Sequence, residues 1–223
     1  MRRFRFARVF VVGAGLLFAR DAFAQVALLE RQSLSGSALG ARSGATPGSH
    51  LALRLTLVRI EGSGWTREQA VAITREAAEI VAQCDIIVDR LNLETIAAPD
   101  YLDFSTRAAR MLARLHPVAR PAVYLVRDTK NQPAFDAEAI GRGNSRTRPE
   151  IADTVWMTAA SRDPGVALAH ELAHVLMDSG EHSDEAGNLM RAETEKGNTL
   201  LSAAQCARLR ETGSRNGLLK QNG

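Results

Sequence analysis

The stretch VALAHELAHVLM, residues 166–177, contains two histidines four positions apart, with a glutamate directly after the first. In a helix, residues four apart lie on one face about 6 Å apart along the axis, so His170 and His174 can reach one metal ion. Glu171 stands beside this pair and can accept a proton. The remaining residues are apolar nearly all round, which is typical of a buried helix. Buried histidines need polar partners, so the stretch predicts a zinc site with its own base.

A catalytic zinc site usually takes three protein ligands and leaves the fourth position to water. His182 is the candidate for the third ligand, because it lies eight residues after His174, beyond Gly180. A glycine at that point allows the chain to turn back toward the metal. Other residues remain open as alternatives for the third ligand, namely Asp184, Glu193, His116 and His50.

The continuation HELAHVLMDSGEHSDEAGNLM, which begins at His170, resembles the HExxHxxGxxH pattern and methionine-bearing turn of the metzincin superfamily of zinc peptidases. Within that superfamily it is most similar to the matrixins. The resemblance covers about twenty residues. It implies that Zn²⁺ is bound by three histidines, that Glu171 is the general base, and that Met190 forms an apolar floor under the metal. The three implied zinc ligands are His170, His174 and His182.

Two features depart from the family pattern. Met177 stands where the family places glycine, three residues after the second histidine, and two extra residues separate His174 from His182. We therefore expect the turn that follows the helix to have moved to Gly180.

Residues 1–24 have the pattern of a secretory signal, with an arginine-rich start, an apolar stretch and the cleavage box Ala22-Phe23-Ala24. The segment carries five arginines and one aspartate, so its charge of +4 more than accounts for the net charge of +3. The mature chain, at about −1, also lacks a basic stripe interleaved with aromatic residues, which argues against a nucleic-acid partner. It has no later run of 18 apolar residues, so we expect no membrane span. The expected location is the periplasm or the medium.

The rest of the chain divides into three expected parts. Residues 25–49 are rich in Ser, Gly and Ala, which favours a flexible lead-in or a short propeptide. Residues 50–215 are expected to form one metzincin-like zinc peptidase domain, and residues 216–223 a C-terminal tail. An even number of cysteines in an exported chain favours a disulfide between Cys84 and Cys206, with two buried free thiols as the alternative.

Hydrophobic periodicity and capping residues predict the elements of the domain. Strands are predicted over residues 51–60, 85–93, 122–127 and 154–158, with a short edge strand near 137–141. Helices are predicted over residues 68–83 after the cap Thr66, over 105–115, and from the cap Asp163 with Pro164 at the first helical position. This order predicts an α+β fold, with a mixed, mostly parallel twisted sheet and an antiparallel edge strand packed on helices. The resemblance adds a C-terminal helix after the methionine turn.

Taken with the zinc pattern, the resemblance implies an exported zinc-dependent metalloendopeptidase. A polypeptide substrate is expected to bind extended along the edge strand between Asp136 and Gly143. Two other functions remain open: a non-catalytic zinc-binding exported protein, and a zinc amidohydrolase acting on a non-protein amide. The row of arginines on the second predicted helix is predicted to lie on a solvated face. The arginines of the later loop are predicted either to lie in a solvated loop or to contact an acidic substrate. These two groups are Arg107, Arg110 and Arg114, and Arg142, Arg146 and Arg148.

Overall fold

The computed structural model of this chain describes residues 26–40, 50–129 and 148–221, and the backbone of residues 139–142. The expected signal segment 1–24 and Arg146 lie outside the described residues. None of the helices in these ranges is long and apolar enough to cross a bilayer.

Nine strands and four helices are formed in the described ranges. The strands are β1 (Ala27–Ser35), β2 (Leu51–Ile60), β3 (Ile86–Ala97), β4 (Asp103–Phe104), β5 (Ala122–Val126), β6 (Asp128–Thr129), β7 (Ala139–Arg142), β8 (Thr154–Thr158) and β9 (Leu219–Gln221). The helices are α1 (Arg67–Val81), α2 (Thr106–Leu115), α3 (Pro164–Met177) and α4 (Ala203–Arg215).

Seven of the strands form one mixed sheet in the order β1-β3-β2-β5-β8-β7, with β9 paired to the start of β2. The four central strands are parallel to one another. β1 and β7 are antiparallel to their neighbours at the two edges. The α+β prediction of a mostly parallel sheet with an antiparallel edge strand is therefore confirmed, and β4 and β6 form a separate two-stranded pair.

The sheet is covered on both faces. Leu55 and Leu57 of β2 belong to a core shared with α1, α3 and α4. Val58 and Ile60 point to the other face, where they join a second core with α2. This alternation is the period of two that a strand imposes on its side chains. It places the HExxH helix α3 and the helix α2 on opposite sides of the sheet.

The helix starts follow their capping residues in part. At α1, Thr66 Oγ1 accepts from the backbone N–H of Gln69, and the Gln69 side chain accepts from the backbone N–H of Thr66, which confirms the predicted capping box. At α3, Pro164 begins the helix as predicted, but the Asp163 side chain makes no capping hydrogen bond. The expectation that Asp163 caps α3 through its side chain was wrong.

The two ends of the chain differ from the sequence-based expectation. Residues 27–39, expected to be a flexible lead-in, form β1 and a short 3-10 turn, and β1 pairs with β3 along its whole length. β9 lies within the segment expected to be a tail. The backbone N–H and C=O groups of both strands form hydrogen bonds with the neighbouring strand. Such strands can form without alternating apolar residues when their side chains face solvent, so the sequence pattern did not predict them. The folded unit is therefore wider than residues 50–215.

Cys84 and Cys206 form the expected disulfide, which joins the turn after α1 to α4. Both residues are buried. The crosslink connects positions 122 residues apart in the sequence, so it holds the C-terminal helix against the first helix of the domain.

Candidate metal centre

The centre begins with α3, of which twelve residues are buried, including His170 and Glu171. The helix packs against α1 and α4 and contacts β7 and β8. This burial explains why its sequence is apolar all round: neighbouring elements cover most of its circumference.

Three imidazoles converge at one point. The ligand atoms of His170, His174 and His182 all lie within 4.8 Å of one another, and the Nε2 atoms of the first two are 2.9 Å apart. Their ring centroids are separated by 4.5, 5.4 and 5.0 Å. Three nitrogens that bind one zinc ion at 2.0–2.1 Å with tetrahedral angles lie about 3.4 Å apart. The observed spacing brackets that value.

Backbone carbonyls orient the two histidines of α3. His170 Nδ1 lies 2.7 Å from the carbonyl oxygen of Leu189, and His174 Nδ1 lies 2.6 Å from that of Ser179. A carbonyl only accepts, so each Nδ1 carries the proton and donates it. Each Nε2 then keeps its lone pair and directs it to the common point. Metal-binding imidazoles in proteins are commonly oriented in this way, by a hydrogen bond from the ring nitrogen that does not bind the metal.

The electrostatic environment keeps these imidazoles neutral. Burial lowers the pKa of His170 to about 4, although the hydrogen bond to Leu189 opposes the shift. Burial also lowers the pKa of His174, against the hydrogen bond to Ser179. Neutral imidazole is the form that binds a metal ion. Two neutral Nε2 lone pairs facing each other repel, so this set of donors fits a cation placed between them.

The chain returns His182 to the centre through a turn at the end of α3. Asp178 adopts the left-handed conformation (φ 47°, ψ 50°), and the N–H of Ser179 donates to the carbonyl of His174. The N–H of Asp178 donates to the carbonyl of Val175, which completes a Schellman motif. Gly180 has no positive φ. The prediction that Gly180 makes the turn was therefore wrong, because an aspartate tolerates the left-handed region.

The alternatives for the third ligand are not brought to this point. In the described ranges, the three histidines are the only group of metal-ligand side chains whose donor atoms converge. His116 lies at the end of α2, where its Nε2 is 2.6 Å from a Glu94 carboxylate oxygen. Asp184 and Glu193 are exposed, and His50 directly precedes β2.

A turn that carries Met190 follows the His182 segment. Gly187 has a φ of 75°, and Met190 is buried. Leu189, between them, supplies the carbonyl that orients His170. Met190 also donates its backbone N–H to Asn188 Oδ1 at 2.9 Å, and its carbonyl accepts from the N–H of Ser183 at 2.7 Å. The turn therefore supports both the first zinc-ligand candidate and the segment that carries the third. Met190 and His182 line one small cavity of about 200 Å³.

Sequence reasoning missed two residues that hold this turn. The Asn188 amide exchanges hydrogen bonds with the Gln205 side chain at 3.0 and 3.1 Å. Gln205 also completes a capping box with Ser202 at the start of α4. The Ser-x-x-Gln pattern was detectable in the sequence as a helix start. Its coupling to Asn188 was not, because that contact exists only after α4 packs beneath the turn.

Glu171 completes the arrangement. The residue is 5% exposed and directly follows His170 on α3. The site thus combines three imidazoles with a buried carboxyl residue one position from the first of them. Such a set is able to hold a divalent cation and to transfer a proton beside it.

Comparison with known proteins supports the fold. No model of a known protein family matches the chain, and no curated protein sequence matches it. The structure is similar to the crystal structure of metalloproteinase-II from Bacteroides fragilis, with a TM-score of 0.51 and 17% sequence identity. The alignment covers 77% of this chain and 55% of that one, so the chain spans about half the length of that structure. This chain shares its α+β fold with a metalloproteinase and carries a three-histidine cluster suited to a metal ion.

Proposed function

We propose that this protein is an exported, matrixin-like zinc metalloendopeptidase of the metzincin superfamily. The observation that carries the proposal is the convergence of His170, His174 and His182, together with the burial of Glu171, which directly follows His170 in the chain. A zinc site that only stabilises a fold is closed by four protein ligands and has no use for an adjacent carboxylate. Three histidine ligands with a neighbouring acid leave a position for substrate and water. The likeness to a metalloproteinase fold supports the same conclusion.

The residues of this chain have separate roles in the proposed reaction. When bound to the three histidines, Zn²⁺ supplies a Lewis acid that acidifies water and polarises the scissile carbonyl. Glu171 accepts a proton from the attacking water and transfers it to the leaving amine. The carbonyls of Leu189 and Ser179 hold two of the imidazoles in the binding tautomer. Met190 is proposed to form the apolar floor under the metal ion.

The substrate is proposed to be a polypeptide bound in extended form along β7. This strand lies at the edge of the sheet beside β8, and α3 contacts it. In the described part of the chain no strand pairs with its outer side. An edge strand offers backbone donors and acceptors to an added strand, which is how many proteins bind extended peptides.

Export follows from the sequence of residues 1–24 and is supported by the disulfide. Disulfides form and persist in oxidising compartments, and are rare in the cytosol. The Cys84–Cys206 crosslink thus fits a protein that folds in the periplasm or outside the cell.

The deciding experiment compares the mature protein with Glu171→Gln on an unfolded protein substrate, with and without a chelator. We expect chelation to abolish hydrolysis and Glu171→Gln to lower kcat/KM by roughly 10²–10⁴-fold, because general acid–base catalysis contributes that much. Zinc content should stay at one ion per chain in the variant. Glu193→Gln is the matched control, since Glu193 is exposed and lies just beyond Met190; it should retain activity.

Other outcomes would assign other functions. One bound zinc with no chelator-sensitive hydrolysis of any amide would indicate a zinc-binding protein. Hydrolysis of small or cell-wall amides, but not of polypeptides, would indicate an amidohydrolase. Full activity in Glu171→Gln would remove the assigned base.

A further inference from the structure

A short segment at residues 199–201 lies beside the turn at residues 187–190 and pairs with its backbone. The N–H of Leu189 donates to the carbonyl of Leu200 at 2.7 Å, and the N–H of Leu200 donates to the carbonyl of Gly187 at 2.9 Å. The side chain of Leu200 is 62% exposed, so its burial contributes little to holding the segment. The position of the 187–190 turn therefore depends on what holds the backbone of residues 199–201.

The side-chain amide of Gln83 binds this segment on its other side. Gln83 Nε2 donates to the carbonyl of Thr199 at 2.8 Å, and Gln83 Oε1 accepts from the N–H of Leu201 at 2.7 Å. Nε2 also donates to the carbonyl of Ile80 at 2.6 Å, which fixes the amide against the end of α1. A neighbouring strand makes the same pattern of bonds, with residues 199 and 201 bonded on one side and residue 200 on the other. Gln83 thus takes the place of a strand beside this segment.

A continuous series of hydrogen bonds leads from Gln83 to the metal centre. It runs from the Gln83 amide to residues 199–201, and from Leu200 to Leu189. The carbonyl of Leu189 then accepts from Nδ1 of His170. That last bond fixes the tautomer of His170 and directs its Nε2 to the point where the three imidazoles converge. The orientation of the first ligand candidate is therefore linked to a side chain at the end of α1.

A second glutamine holds the same turn at another point. The Gln205 side chain exchanges hydrogen bonds with the Asn188 amide. Each glutamine directly precedes one cysteine of the disulfide, since Gln83 is followed by Cys84 and Gln205 by Cys206. The Cα atoms of the two cysteines are 4.8 Å apart. The crosslink therefore fixes the backbone next to both glutamines that reach the turn.

We propose that Gln83 is a positioning residue for the metal centre, because it holds residues 199–201 against the 187–190 turn and so keeps the Leu189 carbonyl on His170. Gln83 is exposed and is not one of the three residues that would bind the ion. Its role rests on the zinc site of the proposed function. The role does not depend on peptidase activity, because the expected effect is on metal binding.

The test compares Gln83→Met with the parent, using the mature chain and a chromogenic chelator that competes for zinc. Methionine has a similar length but cannot donate a hydrogen bond and is only a weak acceptor. We expect the Kd for zinc to rise by roughly 10-fold, at the lower end of the range for residues that orient a metal ligand. The visible absorption of the Co²⁺-loaded protein should also change, because it reports the geometry of the ligands. A loss of stability alone does not alter that spectrum.

Gln69→Met is the matched control, since it makes the same substitution at the other end of α1. It removes the hydrogen bond that Gln69 accepts from the N–H of Thr66 at 2.7 Å. The control should lose some stability and still bind zinc within about twofold of the parent, with an unchanged Co²⁺ spectrum. Thermal melts show that both variants are folded during the measurement.

Three results would overturn the role of Gln83 alone. These are zinc binding by Gln83→Met within about twofold of the parent, equal weakening in Gln69→Met, and weaker zinc binding with an unchanged Co²⁺ spectrum. Absence of bound zinc in the parent would instead overturn the zinc site of the proposed function, and the role of Gln83 with it.

Discussion

At the scale of single residues, the centre depends on which nitrogen of each imidazole faces inward. The carbonyls of Leu189 and Ser179 take the Nδ1 protons of His170 and His174, so both Nε2 atoms point to the same place. His182 completes the set from a different segment. The third ligand is the feature that most needs a direct measurement, since the spacing after His174 departs from the family pattern.

We expect His182→Ala to lower zinc affinity by roughly 100-fold or more, because loss of a ligand costs at least as much as loss of a residue that only orients a ligand. His116→Ala is the control, since His116 pairs with Glu94 beyond the other face of the sheet. Zinc content after dialysis against a competing chelator measures both. Tight zinc in the His182 variant would place the third ligand elsewhere.

The lowered pKa of His170 makes the metal-free protein sensitive to acid. Its folded pKa of about 4 lies below the ordinary 6.5, so the unfolded chain binds more protons between these values. Stability is therefore full above pH 6.5 and falls as the pH drops toward 4, by roughly 3 kcal/mol for this group. Urea unfolding of the metal-free protein at pH 7 and 4.5 measures the loss. His170→Gln should reduce the difference between the two pH values, and an unchanged difference would contradict this account.

At the scale of elements, the two residues inserted between His174 and His182 are accommodated at the end of α3. The helix continues through Met177, where the family has glycine, and Asp178 makes the turn. The same turn places Ser179, whose carbonyl orients His174. One local conformation therefore positions the end of α3, His174 and His182.

Substitution of Asp178 tests that conformation. Asp178→Val should destabilise the fold by about 1–2 kcal/mol and weaken zinc binding, because a β-branched residue is strained at positive φ. Asp178→Gly should stay within about 1 kcal/mol of the parent, since glycine adopts this region freely. Gly180→Ala should change stability by less than about 0.5 kcal/mol, because its φ is ordinary and its surroundings are open. Chemical unfolding and zinc titration of the three variants measure these effects. A larger loss of stability and zinc affinity in Gly180→Ala than in Asp178→Val would indicate that Gly180, and not Asp178, makes the turn.

At the scale of the whole molecule, the sheet separates two sides of the fold, and the disulfide crosslinks two elements on one of these sides. The three-histidine cluster lies on the side of α1, α3 and α4, and α2 lies on the other side. Cys84 and Cys206 tie the end of α1 to α4, which in turn supports Asn188 through Gln205. Stability of the whole fold and order in the methionine turn are thus linked.

Removal of the crosslink tests this link. Cys84→Ala/Cys206→Ala should lower the free energy of unfolding by about 3–5 kcal/mol, because the bond closes a long loop in the unfolded chain. Urea unfolding with and without reductant measures the effect. Reductant should destabilise the parent and leave the double variant unchanged, whereas equal stability of the two proteins without reductant would contradict a structural role.

The sequence alone identified what depends on local pattern. The helix α3, the capping box at Thr66 and the central strands each follow from residues close together in the chain. The N-terminal strand β1 was missed because an edge strand with solvated side chains has no apolar alternation, and its only signal is a partner about sixty residues away. The side-chain cap predicted at Asp163 was wrong for a similar reason, because the type of residue does not determine the direction in which its side chain points.

His170, Glu171 and His174 were determined by sequence, because helical geometry alone places residues i and i+4 on one face. The convergence of His182, the carbonyls that orient the imidazoles and the contact of Gln83 with residues 199–201 were decided only by tertiary structure. Each joins residues from separate elements. Their distances depend on where a turn bends the chain and how helices pack on the sheet, and neither is encoded in local periodicity.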